Sequence, residues 1–196
     1  MKRLFDVSAS VFACLLLLPF FFVISLIIML ESRGGIYYSQ QRVGKNNKDF
    51  KLLKFRTMRV GSDQHGLLTV GDKDARITRF GYFLRKFKLD ELPQLFNILK
   101  GDMSIVGPRP EVRKYVDLYD VRQRQVLSVL PGLTDYASLA YISESEILSA
   151  SDDPEQTYID EIMPRKIELN LKYIQNQGMI EDLKIIFKTL FSILKK

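Results

Sequence analysis

The fold and the chemistry of this chain are organised around residues 88–111, which run KLDELPQLFNILKGDMSIVGPRPE. Apolar side chains recur at helical spacing in the first half and form one face of a short predicted helix: Leu92, Leu95, Phe96 and Leu99. Asp90 stands where a helix N-cap is expected, and Gly101 stands where a helix C-terminus favours glycine. The second half predicts a stiff loop that holds Arg109 between two prolines.

Two adjacent carboxylates, Asp90 and Glu91, lie at the N-terminal end of this predicted helix. The positive end of a helix favours their ionised form, and a pre-positioned guanidinium at Arg109 suits a phosphate group. Neighbouring helical side chains point about 100° apart, so the two carboxylates cannot play the same role. The simpler alternative is that the pair caps a helix and the Pro-Arg-Pro loop turns a corner. The two motifs in one stretch favour chemistry on a phosphate.

Composition limits the function classes. The 196 residues carry a net charge of +6 and suit one domain, or one domain with an anchor. No Lys or Arg occurs in residues 125–164, so the rest of the chain is more basic than the net charge suggests. A basic body suits an anionic membrane, nucleic acid or phosphorylated substrates. The single cysteine, Cys14, excludes an internal disulfide, and the single histidine, His65, argues against a His-based metal site or catalytic triad.

The N-terminal segment is apolar enough to enter a membrane. Residues 7–30 carry no charge, and about 20 such residues cross a bilayer as a helix. Basic residues flank both ends, so a straight crossing places one cationic end on the disfavoured side. A helix broken at Pro19 that enters and leaves by the same face removes this conflict, while a kinked single span is the alternative. We therefore predict a re-entrant membrane anchor over residues 1–33 and a catalytic domain over residues 34–196.

The remaining segments predict an α/β fold that is mostly helical. Two strand-like runs, residues 36–43 and 50–58, flank a turn signal and predict a small β-hairpin, and residues 61–74 predict a polar loop that includes His65. Several predicted helices are amphipathic and could pack around a compact catalytic domain or lie at a lipid interface. Four further helices are predicted: residues 76–88, 111–129, 166–175 and 180–196.

Three motifs carry a family resemblance: KFRTM at residues 54–58, LDELPQLFNILKGDMS at 89–104 and VGPRP at 106–110. They closely resemble the bacterial sugar transferases known as small monotopic phosphoglycosyl transferases, the PglC-like group. The resemblance extends over essentially the whole chain. It implies transfer of a sugar-1-phosphate from a UDP-sugar to polyprenol phosphate, such as undecaprenyl phosphate, which releases UMP and initiates glycoconjugate or polysaccharide assembly.

The resemblance also implies roles for individual residues. Asp90 matches the family's nucleophile, which forms a covalent phosphosugar intermediate and helps to bind Mg²⁺, and Glu91 matches its supporting partner in an Asp-Glu dyad. Arg109 matches a phosphate ligand. Two further basic positions near that site are matched by Arg85 and Lys54. Pro19 matches the proline that breaks the family's re-entrant helix.

Two positions depart from the family pattern. Leu18 stands where the family often has serine before the breaking proline. The run Asp135-Tyr136-Ala137-Ser138 stands where many relatives continue Gly-Trp-Ala-Gln, which leaves the identity of the sugar open.

The resemblance implies a cellular location and a set of partners. It places the chain at the bacterial inner membrane with its catalytic domain on the cytoplasmic face. The expected partners are a UDP-sugar, polyprenol phosphate and membrane lipid, with no nucleic acid, and a homodimer is left open. Polyprenol length and downstream pathway are not determined. The alternative is a non-catalytic module that binds anionic lipid at the membrane surface, in which both dyad carboxylates are dispensable.

Overall fold

Helices form most of the chain, as the sequence predicted. The computed structural model describes residues 1–62 and 74–195, so most of the predicted loop, with His65, lies outside the described residues. The helices are α1 (Lys2–Glu31), α2 (Arg79–Lys86), α3 (Gln94–Lys100), α4 (Arg113–Val116), α5 (Tyr136–Ala140), α6 (Glu144–Ser149), α7 (Pro154–Thr157), α8 (Met163–Gln175) and α9 (Met179–Leu194). The strands are β1 (Tyr37–Val43), β2 (Asp49–Phe55), β3 (Ser104–Val106) and β4 (Gly132–Thr134).

The predicted β-hairpin is confirmed. Strands β1 and β2 pair antiparallel, with Tyr37 opposite Phe55 and Val43 opposite Asp49. The turn between them uses Asn46 and Asn47 at positive φ, a conformation that asparagine tolerates better than most residues. The KFRTM motif begins on the second strand, which ends at Phe55 beside the dyad, and continues into the segment that follows.

A second, parallel pair of strands supports the Pro-Arg-Pro loop, and the sequence did not predict it. Strand β3 pairs with β4, with Ser104 opposite Gly132. Gly107 approaches Gly132 so closely that a Cβ on Gly132 would lie 2.1 Å from the Gly107 nitrogen. A side chain at this crossing would push the strands apart, so glycine is required where the loop leaves the sheet.

The helix predicted to begin at Asp90 is divided in two. A 3₁₀ turn covers Leu89–Glu91, and α3 follows with Pro93 as its N-cap. The N-cap prediction for Asp90 is therefore wrong, because Lys88 takes a left-handed conformation (φ 57°) and turns the chain before the dyad. Gly101 ends α3 in the left-handed region (φ 98°), as predicted.

The helix predicted over residues 111–129 is also shorter than expected. Its first turn forms α4, and a 3₁₀ segment covers Gln123–Ser128. Between them the Asp120 side chain accepts a hydrogen bond from the Gln123 amide at 2.7 Å. Such local bonds compete with the helical pattern and explain the break.

Helix α1 is continuous from Lys2 to Glu31 and contains Pro19, so the predicted interruption at Pro19 does not occur. A proline removes one backbone hydrogen bond, and the apolar turns on either side keep the helix intact here. By length and composition α1 could cross a membrane. One face nevertheless packs on the rest of the protein, through residues at three- and four-residue spacing: Ala13, Cys14, Leu17, Phe21, Ile24 and Ile28.

Polar bonds hold both ends of α1 against the same domain. At its start, Arg3 donates to the Ile98 carbonyl at 2.6 Å, and buried Asp6 accepts from the Ser104 hydroxyl at 2.8 Å. At its end, Arg56 donates to the Ser32 carbonyl at 2.7 Å. The helix therefore lies along the domain, and its opposite face leaves large apolar side chains exposed: Leu4, Val11, Phe12, Leu15, Leu16, Leu18, Phe20, Phe22, Val23, Leu26, Met29 and Leu30.

Candidate active site

A cleft of about 560 Å³ brings together the five residues that the sequence singled out for catalysis and phosphate binding: Lys54, Arg85, Asp90, Glu91 and Arg109. They come from β2, from α2, from the 3₁₀ turn before α3 and from the Pro-Arg-Pro loop. Pro19 lies apart from them, on the exposed face of α1. The roles of these residues stay predictions, but their convergence follows from the fold.

Glu91 forms ion pairs with two cations of the cleft. It is 7% exposed and accepts hydrogen bonds from both terminal nitrogens of Arg109 and, at 3.0 Å, from Lys54 Nζ. Burial alone would raise the pKa of Glu91, but the charges of Arg109, Lys54 and Lys88 outweigh it and hold the pKa well below its usual value. Glu91 is therefore ionised at neutral pH, and its charge raises the pKa of Arg109.

Asp90 has the opposite environment. It is 5% exposed, and burial raises its pKa above the ordinary value, an effect that the charge of Lys54 opposes and that of Glu91 reinforces. Its Oδ1 atom is shielded from solvent and has no hydrogen-bond partner among residues 1–62 and 74–195. Buried carboxylate oxygens almost always have a hydrogen-bond partner. An oxygen without one among the described residues is therefore available to a ligand in the cleft.

The same oxygen bears on the predicted Mg²⁺. Within the part of the chain that the structure describes, no group of three or more His, Cys, Asp or Glu residues could hold a metal ion by itself. Mg²⁺ at phosphate sites commonly uses one or two carboxylates and completes its shell with water and substrate phosphates. The free oxygen of Asp90 fits a magnesium ion that binds together with a diphosphate.

Three residues of the KFRTM motif have separate roles. Lys54 enters the cleft, where burial lowers its pKa and Glu91 opposes that shift. Arg56 faces away and binds the end of α1. The Thr57 hydroxyl accepts a hydrogen bond from Arg85 Nε at 2.9 Å and so orients Arg85 at the cleft wall.

Asp135 supports the Pro-Arg-Pro loop, a role that the sequence reasoning missed. It is fully buried, and its Oδ2 accepts a hydrogen bond from the Arg109 backbone amide at 3.1 Å. Its Oδ1 accepts from the Ser138 amide at 2.6 Å and caps α5. The departure from the family pattern at residues 135–138 was the available signal, since aspartate is a favoured helix N-cap residue.

Asn97, within the long central motif, is a second missed residue. Its side chain accepts from the Leu53 amide at 2.9 Å and donates to the Lys51 carbonyl at 2.8 Å. These two bonds join α3 to the strand that carries Lys54. Asn97 therefore sets the position of that lysine relative to the dyad.

Comparison with known proteins identifies relatives of the whole chain. A family model described as bacterial sugar transferase matches residues 1–196. The chain is 40% identical, over 98% of its length, to a UDP-N-acetylgalactosamine-undecaprenyl-phosphate N-acetylgalactosaminephosphotransferase of Aeromonas hydrophila, and 36% identical, over 96%, to an undecaprenyl-phosphate glucose phosphotransferase of Komagataeibacter xylinus. It is 35% identical, over 98%, to a UDP-glucose:undecaprenyl-phosphate glucose-1-phosphate transferase of Caulobacter vibrioides.

The relatives differ in length from this chain. It spans 43% of the Aeromonas protein and 35% of the Komagataeibacter protein, but 69% of the Caulobacter protein. The matched region holds the complete cleft described above.

Proposed function

Because the chain belongs to the bacterial sugar transferase family, we propose that it transfers a sugar-1-phosphate from a UDP-sugar to a polyprenol phosphate such as undecaprenyl phosphate. The products are UMP and a polyprenyl-diphosphate sugar. One observation carries the proposal: a buried carboxylate oxygen of Asp90, which no described residue bonds, shares a cleft with Arg109, Lys54 and Arg85. An anionic diphosphate suits those cations, and a carboxylate suits attack on its phosphorus.

Asp90 acts as the nucleophile in this proposal. One carboxylate oxygen forms a bond to the β-phosphorus, which carries the sugar, and the bond from that phosphorus to the oxygen of UMP breaks. A phosphate oxygen of the polyprenol phosphate then attacks the same phosphorus and releases the Asp90 carboxylate unchanged. Burial that raises the pKa of Asp90 also removes the water that would weaken its nucleophilicity.

Glu91 acts as a positioning residue in the same scheme. It stays ionised and holds Arg109 and Lys54 at the cleft wall through direct ion pairs. Pre-oriented cations of this kind stabilise charge that develops on the transferring phosphoryl group. Mg²⁺, bound by Asp90 together with the diphosphate, would neutralise further charge on the leaving phosphate.

The contacts of α1 support a monotopic anchor, and the basic residues that flank both ends of its apolar run favour the cytoplasmic face for the domain. Both ends of the helix bind one domain, through Arg3 and Asp6 at the start and through Arg56 at the end. A continuous helix held in this way lies along one side of the membrane and needs no break at Pro19. Its exposed apolar face then contacts lipid, which places the cleft beside a membrane-bound acceptor.

Release of UMP from a UDP-sugar tests the proposed function. The full chain, purified in detergent with undecaprenyl phosphate and Mg²⁺, is expected to release UMP from at least one member of a UDP-sugar panel. Asp90→Asn should release none, while the matched control Asp117→Asn, an exposed carboxylate outside the cleft, should retain activity. UMP release by the Asp90 variant at the wild-type rate would contradict the assignment of Asp90 as the nucleophile. No UMP release from any member of the panel by the wild-type chain would favour the lipid-binding module.

A further inference from the structure

The cleft extends beyond its basic residues to a part that the phosphate chemistry does not use. This part lies between α5 and α8, and we call it the α5–α8 subsite. Five residues define it: Ser138, Tyr141, Glu144, Lys166 and Asn170. Because it is continuous with the cleft around the dyad, one ligand can occupy both parts.

Two polar atoms in the α5–α8 subsite lack hydrogen-bond partners within the described part of the chain. Asn170 is 6% exposed, and its Oδ1 is shielded from solvent and bonded to no residue that the structure describes. The Ser138 hydroxyl oxygen is likewise shielded and unbonded within residues 1–62 and 74–195. A polar group buried in this state destabilises the fold, so two of them in one cavity wall indicate a ligand that bonds to them.

The charges of the α5–α8 subsite are already compensated. Lys166 donates to Glu144 at 2.7 Å, and its ammonium also lies 5.4 Å from the centre of the Tyr158 ring. This part of the cleft therefore suits a neutral group with hydroxyls or amides rather than a phosphate. The cations that suit a phosphate, Arg109 and Lys54, belong to the dyad end.

We propose that Ser138 and Asn170 hydrogen-bond the sugar of the donor and contribute to its selection, an inference that rests on the proposed function. The sugar stays on phosphorus through both transfer steps, whereas UMP must leave after the first. A retained group suits the deep wall where Asn170 is buried, and a departing group suits the mouth of the cleft. Sugar hydroxyls both donate and accept, which matches one hydroxyl and one amide.

Asn170→Leu tests this assignment against a structural role. The substitution replaces an amide whose buried Oδ1 has no partner among the described residues by an apolar group of similar size, so the thermal midpoint should stay the same or rise. The KM for the preferred UDP-sugar should rise on the order of tenfold, and differences among UDP-sugars should shrink. Ser138→Ala removes one oxygen without added bulk and should shift the same preferences. Asn176→Leu, at the exposed C-terminal end of α8, is the matched control and should leave the KM and the preferences among UDP-sugars unchanged.

Binding measurements separate this inference from the proposed function. The thermal shift induced by the preferred UDP-sugar should shrink in the Asn170 and Ser138 variants, while the shift induced by UMP should stay at its wild-type size. If the variants reduce the thermal shifts induced by UMP and by every UDP-sugar equally, the subsite binds the uridine, and the sugar assignment is overturned. Unchanged KM values and binding in both variants would overturn it as well. Failure of the proposed function appears differently, as no UMP release by the wild-type chain, and the binding comparison still decides the subsite.

Discussion

Arg109 and Glu91 form a bidentate ion pair at the wall of the cleft, in which both terminal nitrogens of the guanidinium donate to the carboxylate. Lys54 donates to the same carboxylate, so Glu91 is shared by two partly buried cations. A phosphate that enters the cleft therefore meets an arginine that is already oriented. The pair also makes the dyad asymmetric, because Glu91 is held ionised while burial raises the pKa of its neighbour Asp90.

Glu91→Gln should lower both stability and activity. The pKa of Glu91 is lowered on folding, so its ionised form stabilises the protein above the ordinary value of 4.5, and this contribution disappears as the pH falls through the lowered pKa. The variant leaves Arg109 and Lys54 without their charged partner, and we expect a loss of about 3 kcal/mol in the free energy of unfolding at pH 7. Denaturant titration checks this.

A matched control for Glu91→Gln is Asp182→Asn, which removes a buried carboxylate paired with Lys2 away from the cleft. Both variants should lose stability. A large fall in kcat with nearly unchanged substrate affinity is expected for Glu91→Gln alone, since Arg109 and Lys54 then lose their fixed positions. Equal activities in the two variants would contradict a positioning role.

Asp90→Asn should abolish turnover and stabilise the fold. Because the pKa of Asp90 is raised on folding, the folded chain holds its proton more tightly than the unfolded chain, and stability falls as pH rises from about 3.8 through the raised value. Above the raised pKa the cost of burying the charge is fully present, and a neutral amide removes it. Thermal unfolding should show a higher midpoint, with activity at least ~10³-fold lower. A lower midpoint would contradict the pKa direction.

The acid limb of the pH–activity profile should lie above the range of an ordinary aspartate. The nucleophile must be ionised, so UMP release should fall as the pH drops through the raised pKa of Asp90. In Glu91→Gln the residual activity should show this limb at lower pH, because the neighbouring negative charge that raises the pKa of Asp90 is gone. Single-turnover UMP release across a range of pH values measures the acid limb in the wild type and in Glu91→Gln. An acid limb at the same pH in both proteins would contradict the effect of Glu91 on the pKa of Asp90.

Asp135→Ala should impair activity through the Arg109 loop. The variant loses the bond to the Arg109 amide along with the cap of α5. Asp153→Ala, which removes the capping bond to the Gln156 amide outside the cleft, is the control for the cap alone. Each should cost about 1 kcal/mol in stability through its cap. We expect kcat/KM to fall by about 10²-fold for Asp135→Ala and to stay unchanged for the control.

The proposed monotopic arrangement predicts that both ends of α1 are on one side of the membrane. In a Cys14→Ser background, a cysteine inserted after Met1 and a separate Arg33→Cys variant should resist an impermeant maleimide in intact cells. Both should react once the cytoplasmic side is opened, because the two helix ends bind the same domain. Labelling of the Met1 end in intact cells would establish a crossing and contradict the monotopic arrangement.

Local sequence was sufficient where a feature depends on near neighbours. The β-hairpin follows from two strand-like runs around an Asn-rich turn, and the end of α3 follows from the left-handed preference of Gly101. The long central motif named the dyad and Arg109 without any coordinates. Local reasoning was wrong at Asp90 as an N-cap and at the interruption of α1 at Pro19, because the backbone at Lys88 and the packing of α1 depend on the whole fold.

By itself, the sequence determined that this protein has a long apolar N-terminal helix, a mostly helical body and one specific carboxylate–arginine motif. The tertiary structure decided that Arg109 binds Glu91, that Asp90 keeps one oxygen unbonded by any described residue and that Asn170 joins the same cleft. The physical reason is distance along the chain: electrostatic shifts and unmet hydrogen bonds depend on groups that folding brings together. Glu91 and its partner Arg109 are 18 positions apart, and Asn170 lies on a helix that begins long after the motif ends.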